Sequence, residues 1–168
     1  MNFDHYSHID FSRKGRVLTI RMNRPELLNA INHALHEEMA RVFFDAADDP
    51  ESDIIILTGA GSAFSAGGDF DWMGTMLTDN RPPFVSEAKT MRRIVMGMLD
   101  CPKPIIAKVN GDAMGFGASV ALLSDIVIAA ESARFADPHV KMGLVAGDGG
   151  AMVWPQLIGF AKAKHYLL

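Results

Sequence analysis

The chain has 168 residues, of which 49% are hydrophobic and 21% are charged, and its formal net charge at pH 7 is −4. This is an ordinary globular composition, and the acidic balance gives no electrostatic basis for nucleic-acid binding. No apolar run approaches the roughly 20 residues that a bilayer crossing needs, the N-terminus lacks the blocks of a signal peptide, and the lone Cys101 excludes an internal disulfide, so we expect a cytoplasmic protein without a membrane partner.

The first part of the chain predicts two strands and two helices. Alternating apolar and polar residues predict a half-buried strand over 16–22. Apolar residues at helical spacing predict a helix over 32–48 with Asn32 as its N-cap, and the isoleucine-rich run 53–58 predicts a buried strand. A glycine turn then leads to a short predicted helix over 69–77, for which Asp69 is interpreted as the N-cap in preference to a site carboxylate.

The second part continues the alternation of strands and helices. A polar loop over 78–83 precedes elements predicted at 86–99 (helix), 104–109 (strand), 117–123 (helix), 125–130 and 133–136 (strands), 149–157 (helix) and 159–168 (helix). This order predicts an α/β architecture with right-handed crossovers over residues 1–168. The last helix stops on apolar residues without a cap, so we interpret the chain as the N-terminal part of a longer pattern, in preference to a natural end docked in a core or interface.

Two glycine-rich turns each follow a predicted strand, and their residues suggest two alternative roles. One is Ala66-Gly67-Gly68-Asp69 and the other runs from Gly111 to Gly117. Outward-facing backbone N–H groups at two such turns can form an oxyanion hole, whereas the alternative is a pair of tight turns without a ligand. A dinucleotide loop is disfavoured because Phe64 occupies the place of its third glycine, and no Gly-Lys-Ser/Thr follows either turn.

Three histidines are candidates for chemistry. His139 lies in a Pro- and Gly-rich loop nine residues before Asp148, so it is either a general base oriented by that carboxylate or a structural hydrogen-bond partner beside a helix cap. His33 and His36 are three residues apart on the predicted helix, but no third ligand is suggested nearby. We therefore predict no metal site and interpret these two as part of a solvated polar face.

Taken together, these motifs resemble the crotonase superfamily, also called the enoyl-CoA hydratase/isomerase family. The resemblance starts near Val17, and its motifs are Asn23-Arg24-Pro25, Asn29-Ala30, Ala63-Phe64-Ser65-Ala66-Gly67-Gly68-Asp69, Val109-Asn110-Gly111, Gly115-Phe116-Gly117, Ser124-Asp125-Ile126 and Gly143-Leu144. It implies an α/β spiral of ββα units and a C-terminal helical trimerisation region that is largely absent from this chain. It also implies a homo-oligomer, either a trimer or a hexamer.

The resemblance implies an acyl-CoA thioester substrate and an enolate intermediate, with coenzyme A as part of the substrate and no tightly bound cofactor. The two oxyanion-hole amides would be those of Gly68 and Phe116. The coenzyme would lie against segments that match Arg24, Leu28, Ala30, Ala66, Gly68, Asp69, Phe70 and Asp71.

The chain departs from the hydratase pattern at its two glutamates, whose matching positions hold Ser119 and His139. His139 with Asp148 also resembles the pair in 6-oxocamphor hydrolase, a crotonase relative that cleaves C–C bonds of β-dicarbonyl compounds. Three functions are therefore open: a lyase or isomerase acting on acyl-CoA through His139 and Asp148, a C–C hydrolase, and a non-catalytic acyl-CoA-binding member.

Overall fold

The computed structural model describes residues 2–78 and 83–168, and the side chains of these except 76–78 and 83–85. Within these residues the strands are β1 (Ile9–Lys14), β2 (Val17–Met22), β3 (Ile54–Gly59), β4 (Ile105–Val109), β5 (Ala113–Met114), β6 (Ile126–Ala129) and β7 (Phe135–Ala136). The helices are α1 (His33–Ala47), α2 (Phe70–Thr78), α3 (Pro83–Leu99), α4 (Phe116–Leu123), α5 (Gly150–Ile158) and α6 (Phe160–Leu167), with 3-10 turns at Pro25–Leu27 and His139–Met142.

The main sheet has the strand order β1-β2-β3-β4-β6, and only the β1–β2 pair within it is antiparallel. Parallel strands need crossovers, which the helices between them supply. The carboxyl ends of β3 and β4 therefore lie at the same edge of the sheet. Each of these ends runs into one of the glycine-rich turns, which brings the two turns together.

The core lies between this sheet and helices α1 and α3. Its largest fully buried side chains include Phe43 of α1, Phe64 after β3, Ile94 of α3 and Leu18 of β2. α1 begins as predicted, because the Asn32 side chain accepts a hydrogen bond from the backbone N–H of Leu35 at 2.9 Å.

The predicted helices and strands form within a few residues of their expected bounds, and two strands were not predicted. β1 pairs with β2, and the two-residue β5 pairs with β7 in a small parallel sheet. Most of the predicted polar loop over 78–83 lies outside the described residues. Among the described helices, we find none with the length and hydrophobicity that a bilayer crossing requires.

Candidate active site

A cavity of about 370 Å³ opens where the two glycine-rich turns meet. Residues from both turns line it, together with side chains from α1, α2 and α3 and from the segment between Pro138 and Asp148. The sequence-predicted residues Gly68, Phe116, His139 and Asp148 all lie in this lining. The fold thus gathers into one pocket four residues that are up to 80 positions apart in sequence.

Backbone hydrogen bonds hold the two turns against each other. The Met114 N–H donates to the Ser65 carbonyl at 2.9 Å, and the N–H of Ser65 donates to the Asp112 carbonyl at 3.1 Å. Gly67 has φ +88°, and a Cβ there would lie 2.8 Å from the Met114 carbonyl oxygen. A Cβ on Gly117 would lie 2.7 Å from the Ser65 Cβ. Glycine is required at both positions because the two backbones approach too closely for a side chain.

The amides of Gly68 and Phe116 differ from those around them. The neighbouring N–H groups of Gly67, Asp69 and Gly115 each donate to a protein oxygen, at 3.2, 3.0 and 2.9 Å respectively. Within the described part of the chain, the N–H groups of Gly68 and Phe116 have no such acceptor. Phe116 is the first residue of α4, where free amides and the helix dipole favour an anion.

His139 lies between two carboxylates, of which the sequence predicted only one. Its Nδ1 is hydrogen-bonded to Asp137 Oδ1, and its Nε2 lies 3.3 Å from Asp148 Oδ2. Asp137 Oδ1 also accepts the backbone N–H of His139 at 3.2 Å, which fixes the turn. The second oxygen of Asp148 accepts from Ser119 Oγ at 2.8 Å and from the Gly150 N–H at 3.2 Å. Asp148 therefore both contacts His139 and caps the start of α5.

The electrostatics of this cluster favour a bound proton. The hydrogen bond to Asp137 raises the pKa of His139, with burial acting in the opposite direction and Asp148 adding to the increase. Burial raises the pKa of Asp148, although the nearby His139 lowers it. Both pKa values are therefore shifted toward the protonated forms, which favours a proton bound to the cluster of His139 and Asp148.

Asp137, His139 and Asp148 also offer donor atoms that all lie within 4.8 Å of one another. One carboxylate lies at each ring nitrogen, with Asp137 hydrogen-bonded to Nδ1 and Asp148 Oδ2 at 3.3 Å from Nε2.

The prediction of a solvated face for His36 is wrong. His36 is 2% exposed and lines the cavity, while His33 remains at the surface. The Nδ1 of His36 lies 2.9 Å from Glu87 Oε2 on α3. The signal was present in the sequence, since His36 is seven residues before the buried Phe43 and thus lies on the same helix face.

Of the residues expected to contact coenzyme A, Arg24 and Asp69 make hydrogen bonds within the protein. The buried Arg24 guanidinium is hydrogen-bonded to the Ala30 carbonyl and lies 3.1 Å from Asp69 Oδ2. Asp69 accepts the N–H of Asp71 at 3.1 Å, and the N–H of Trp72 at 3.3 Å, which confirms it as the cap of α2.

The remaining expected residues border open space. Leu28 and Ala66 line a second depression of about 300 Å³, and Ala66 also lines the main cavity. Phe70 is 69% exposed beside the cavity, at the start of α2. Ala66 and Phe70 therefore lie where a long ligand would extend out of the cavity.

Comparison with known proteins gives consistent matches. The family model for enoyl-CoA hydratase/isomerase matches residues 12–168. The chain is 38% identical to the 1,2-epoxyphenylacetyl-CoA isomerase of Escherichia coli (strain K12) and 36% identical to the short-chain-enoyl-CoA hydratase of Clostridium acetobutylicum. Each of these matches covers 96% of this chain and 61% of the relative.

A solved structure agrees with these matches. The crystal structure of an enoyl-CoA hydratase/isomerase from Mycobacterium paratuberculosis has a TM-score of 0.93 and 44% identity, over 99% of this chain and 66% of that one. The expected crotonase-type α/β fold is thereby confirmed. The chain spans less than two thirds of the length of these relatives.

Proposed function

The chain belongs to the enoyl-CoA hydratase/isomerase family, and we propose that it acts on an acyl-CoA thioester through an enolate whose oxygen is held by the amides of Gly68 and Phe116. The observation that carries this proposal is that both residues line one cavity, while their N–H groups have no acceptor among the described residues. Phe116 is buried and Gly68 half-buried, and a donor shielded from water is costly unless an acceptor completes it. An oxygen that gains negative charge during the reaction is the ligand that such a pair of donors stabilises best.

Protons in this proposal are handled by His139 and Asp148. Neither glutamate of the usual hydratase pattern is present, since Ser119 and His139 occupy those positions. Ser119 donates to Asp148, so its hydroxyl supports the carboxyl group that faces His139. Because the cluster favours a bound proton, its chemical role is to deliver that proton to the enolate carbon and later to recover it.

We propose that the coenzyme portion of the bound substrate extends out of the cavity past Ala66 and Phe70. It would then lie over the segment that the contact between Arg24 and Asp69 holds in place. Leu28 and Ala30 precede the β-bridge that joins Ile31 to Gly68, and Asp71 follows on α2.

We further propose a cytoplasmic homo-oligomer, a trimer or a hexamer. The exposed apolar side chains of Leu157 and Phe160 on the last two helices support burial of this surface in an assembly.

A second candidate function is hydrolysis of a C–C bond in a β-dicarbonyl compound, and the contact between His139 and Asp148 favours it. In that reaction water loses a proton and adds to one carbonyl. The bond to the intervening carbon breaks, and the electron pair passes to the second carbonyl as an enolate, which then takes up a proton.

Titration of the complete protein with butyryl-CoA and with cyclohexane-1,3-dione separates these functions. We expect butyryl-CoA to bind and its α-protons to exchange with D₂O, as followed by NMR. Binding and ring opening of the diketone would establish the second candidate instead. Thioester binding without exchange, and without turnover of crotonyl-CoA, would show a non-catalytic acyl-CoA-binding protein.

A further inference from the structure

The main cavity contains a second ionisable pair, formed by His36 of α1 and Glu87 of α3. Both residues line the cavity alongside Gly68 and Phe116. His36 Nδ1 lies 2.9 Å from Glu87 Oε2. The other ring nitrogen, Nε2, is buried and has no hydrogen-bond partner among the described residues. A buried polar atom without a partner is costly, and because His36 lines the cavity a bound ligand is the candidate partner for Nε2.

The surroundings of the imidazole are aromatic on two sides. The ring centroid of His36 lies 5.3 Å from that of Trp72 and 6.0 Å from that of Phe116, which it meets edge-on. His36 is therefore adjacent to the residue whose amide is one of the two proposed oxyanion donors. His36 and Phe116 both line the cavity, so a ligand bound in it lies in the same space as the imidazole.

The charged groups that face this pair come from α1 and α3. Glu87 contacts His36 directly, and its other oxygen lies 3.7 Å from Nδ1 of the exposed His33. Glu37 adds a second negative charge, and its carboxylate accepts a hydrogen bond from Thr90 at 3.0 Å. Burial lowers the pKa of His36, against the opposing effect of the two carboxylates.

These contacts define the tautomer of the neutral ring. A carboxylate at Nδ1 accepts a hydrogen bond, so the proton of neutral His36 lies on Nδ1 and Nε2 carries a lone pair. His139 has the opposite character, since carboxylates contact both of its nitrogens and its pKa is raised. Two titratable groups in one site whose pKa values are shifted in opposite directions are the usual signature of an acid and a base.

We propose that His36, oriented by Glu87, is the base of this site and removes a proton from the carbon next to the thioester carbonyl. This inference rests on the function proposed above. The C–H bond breaks, an N–H bond forms at Nε2, and the electron pair moves onto the carbonyl oxygen held by Gly68 and Phe116. His139 with Asp148 then supplies a proton at a carbon of the resulting dienolate or enolate. His36 is a catalytic residue in this scheme and Glu87 is a positioning residue, which makes the substrate an acyl-CoA with an acidic α-proton.

The test compares exchange of the butyryl-CoA α-protons in D₂O between the wild type, His36→Gln, Glu87→Gln and the exposed control His33→Gln. General-base catalysis contributes about 10²–10⁴-fold, so we expect His36→Gln to lose about 100-fold or more in exchange rate. Butyryl-CoA affinity should stay within a few-fold. His33→Gln should leave both quantities within a few-fold of the wild type.

The pH profile tests the positioning role of Glu87. The rate of α-proton exchange by the wild type should rise with pH and level off. The midpoint of this rise should lie below about pH 6.5, the ordinary pKa of histidine. Glu87→Gln removes a charge that stabilises the imidazolium, so this acidic limb should move to lower pH. A change that only disturbed packing would lower the rate without moving the limb.

The outcomes separate this inference from the proposed function. Absence of thioester binding and exchange in the wild type would overturn the proposed function itself. Exchange in the wild type that persists unchanged in His36→Gln would overturn only the assignment of the base. Should His36→Gln fail to fold, a wild-type profile that falls steadily from pH 5 to pH 8 would contradict the assignment equally.

Discussion

The two cavity histidines differ in the number of carboxylates that contact each ring. His139 has Asp137 on one nitrogen and Asp148 on the other, whereas His36 has Glu87 on Nδ1 and no described partner on Nε2. The first arrangement stabilises a charged ring, whereas burial outweighs the single carboxylate at His36 and favours a neutral ring with a lone pair on Nε2. Residue type alone does not distinguish these roles, because the decisive information is what lies at each ring nitrogen.

The charged state of His139 predicts a pH-dependent contribution to stability. Its pKa in the folded protein is raised above that of the unfolded chain. The stabilisation is therefore complete below the unfolded value of about 6.5 and is lost as the pH rises through the folded value. His139→Gln should lower the free energy of unfolding more at pH 6 than at pH 9, as measured by urea denaturation. Equal losses at both pH values would show that the ring is neutral in the folded protein, and His33→Gln serves as the exposed control.

At the scale of elements, the site depends on the contact between the turn after β3 and the start of α4. Gly117 lies in α4, where alanine would normally be favoured by about 1 kcal/mol. A Cβ added at Gly117 would however lie 2.7 Å from the Cβ of Ser65 and 2.8 Å from the carbonyl oxygen of Ser65. Neither of these atoms is the flexible end of a side chain. The steric cost of about 1–3 kcal/mol therefore outweighs the gain in helix propensity.

Gly117→Ala should thus destabilise the protein and reduce α-proton exchange, because it separates the two turns. Gly74→Ala in α2 is the matched control, since a Cβ there meets no described atom within 4 Å and the backbone φ is not positive. That variant should be neutral or more stable by about 0.4–1 kcal/mol. Thermal unfolding of both variants checks the pair. The contact between the turns would not be needed if Gly117→Ala were as stable as Gly74→Ala.

At the scale of the whole molecule, the sequence predicted what is encoded locally. The isoleucine-rich run of β3, the Asn32 cap and the Asp69 cap all depend on neighbours within a few residues, and each was predicted. The strand β5 was missed because its two residues form a strand only by pairing with β7. No local pattern indicates such a pairing.

The same distinction holds for the site. The glycine turns and His139 could be identified from their motifs, whereas Asp137 acquires its role from the turn that places it on Nδ1. His36 and Glu87 are 51 residues apart, and they meet only because α1 and α3 pack together. Long-range packing therefore brings together the part of the candidate site that local sequence patterns could not predict.

The proposed function depends on the amide of Phe116 at the start of α4, and a matched pair of variants at this residue tests it most directly. Phe116→Pro and Phe116→Ala both remove the aromatic ring, but only proline also removes the N–H. Proline is well tolerated at the first position of a helix. Circular dichroism should show that both variants are folded, and the Gly68→Pro and Gly68→Ala pair provides the same comparison at the other turn.

We predict that Phe116→Pro exchanges the α-protons of bound butyryl-CoA about 10²–10³-fold more slowly than Phe116→Ala, the usual loss for one oxyanion-hole donor. Equal exchange rates in the two folded variants would contradict the claim that this amide stabilises the enolate oxygen.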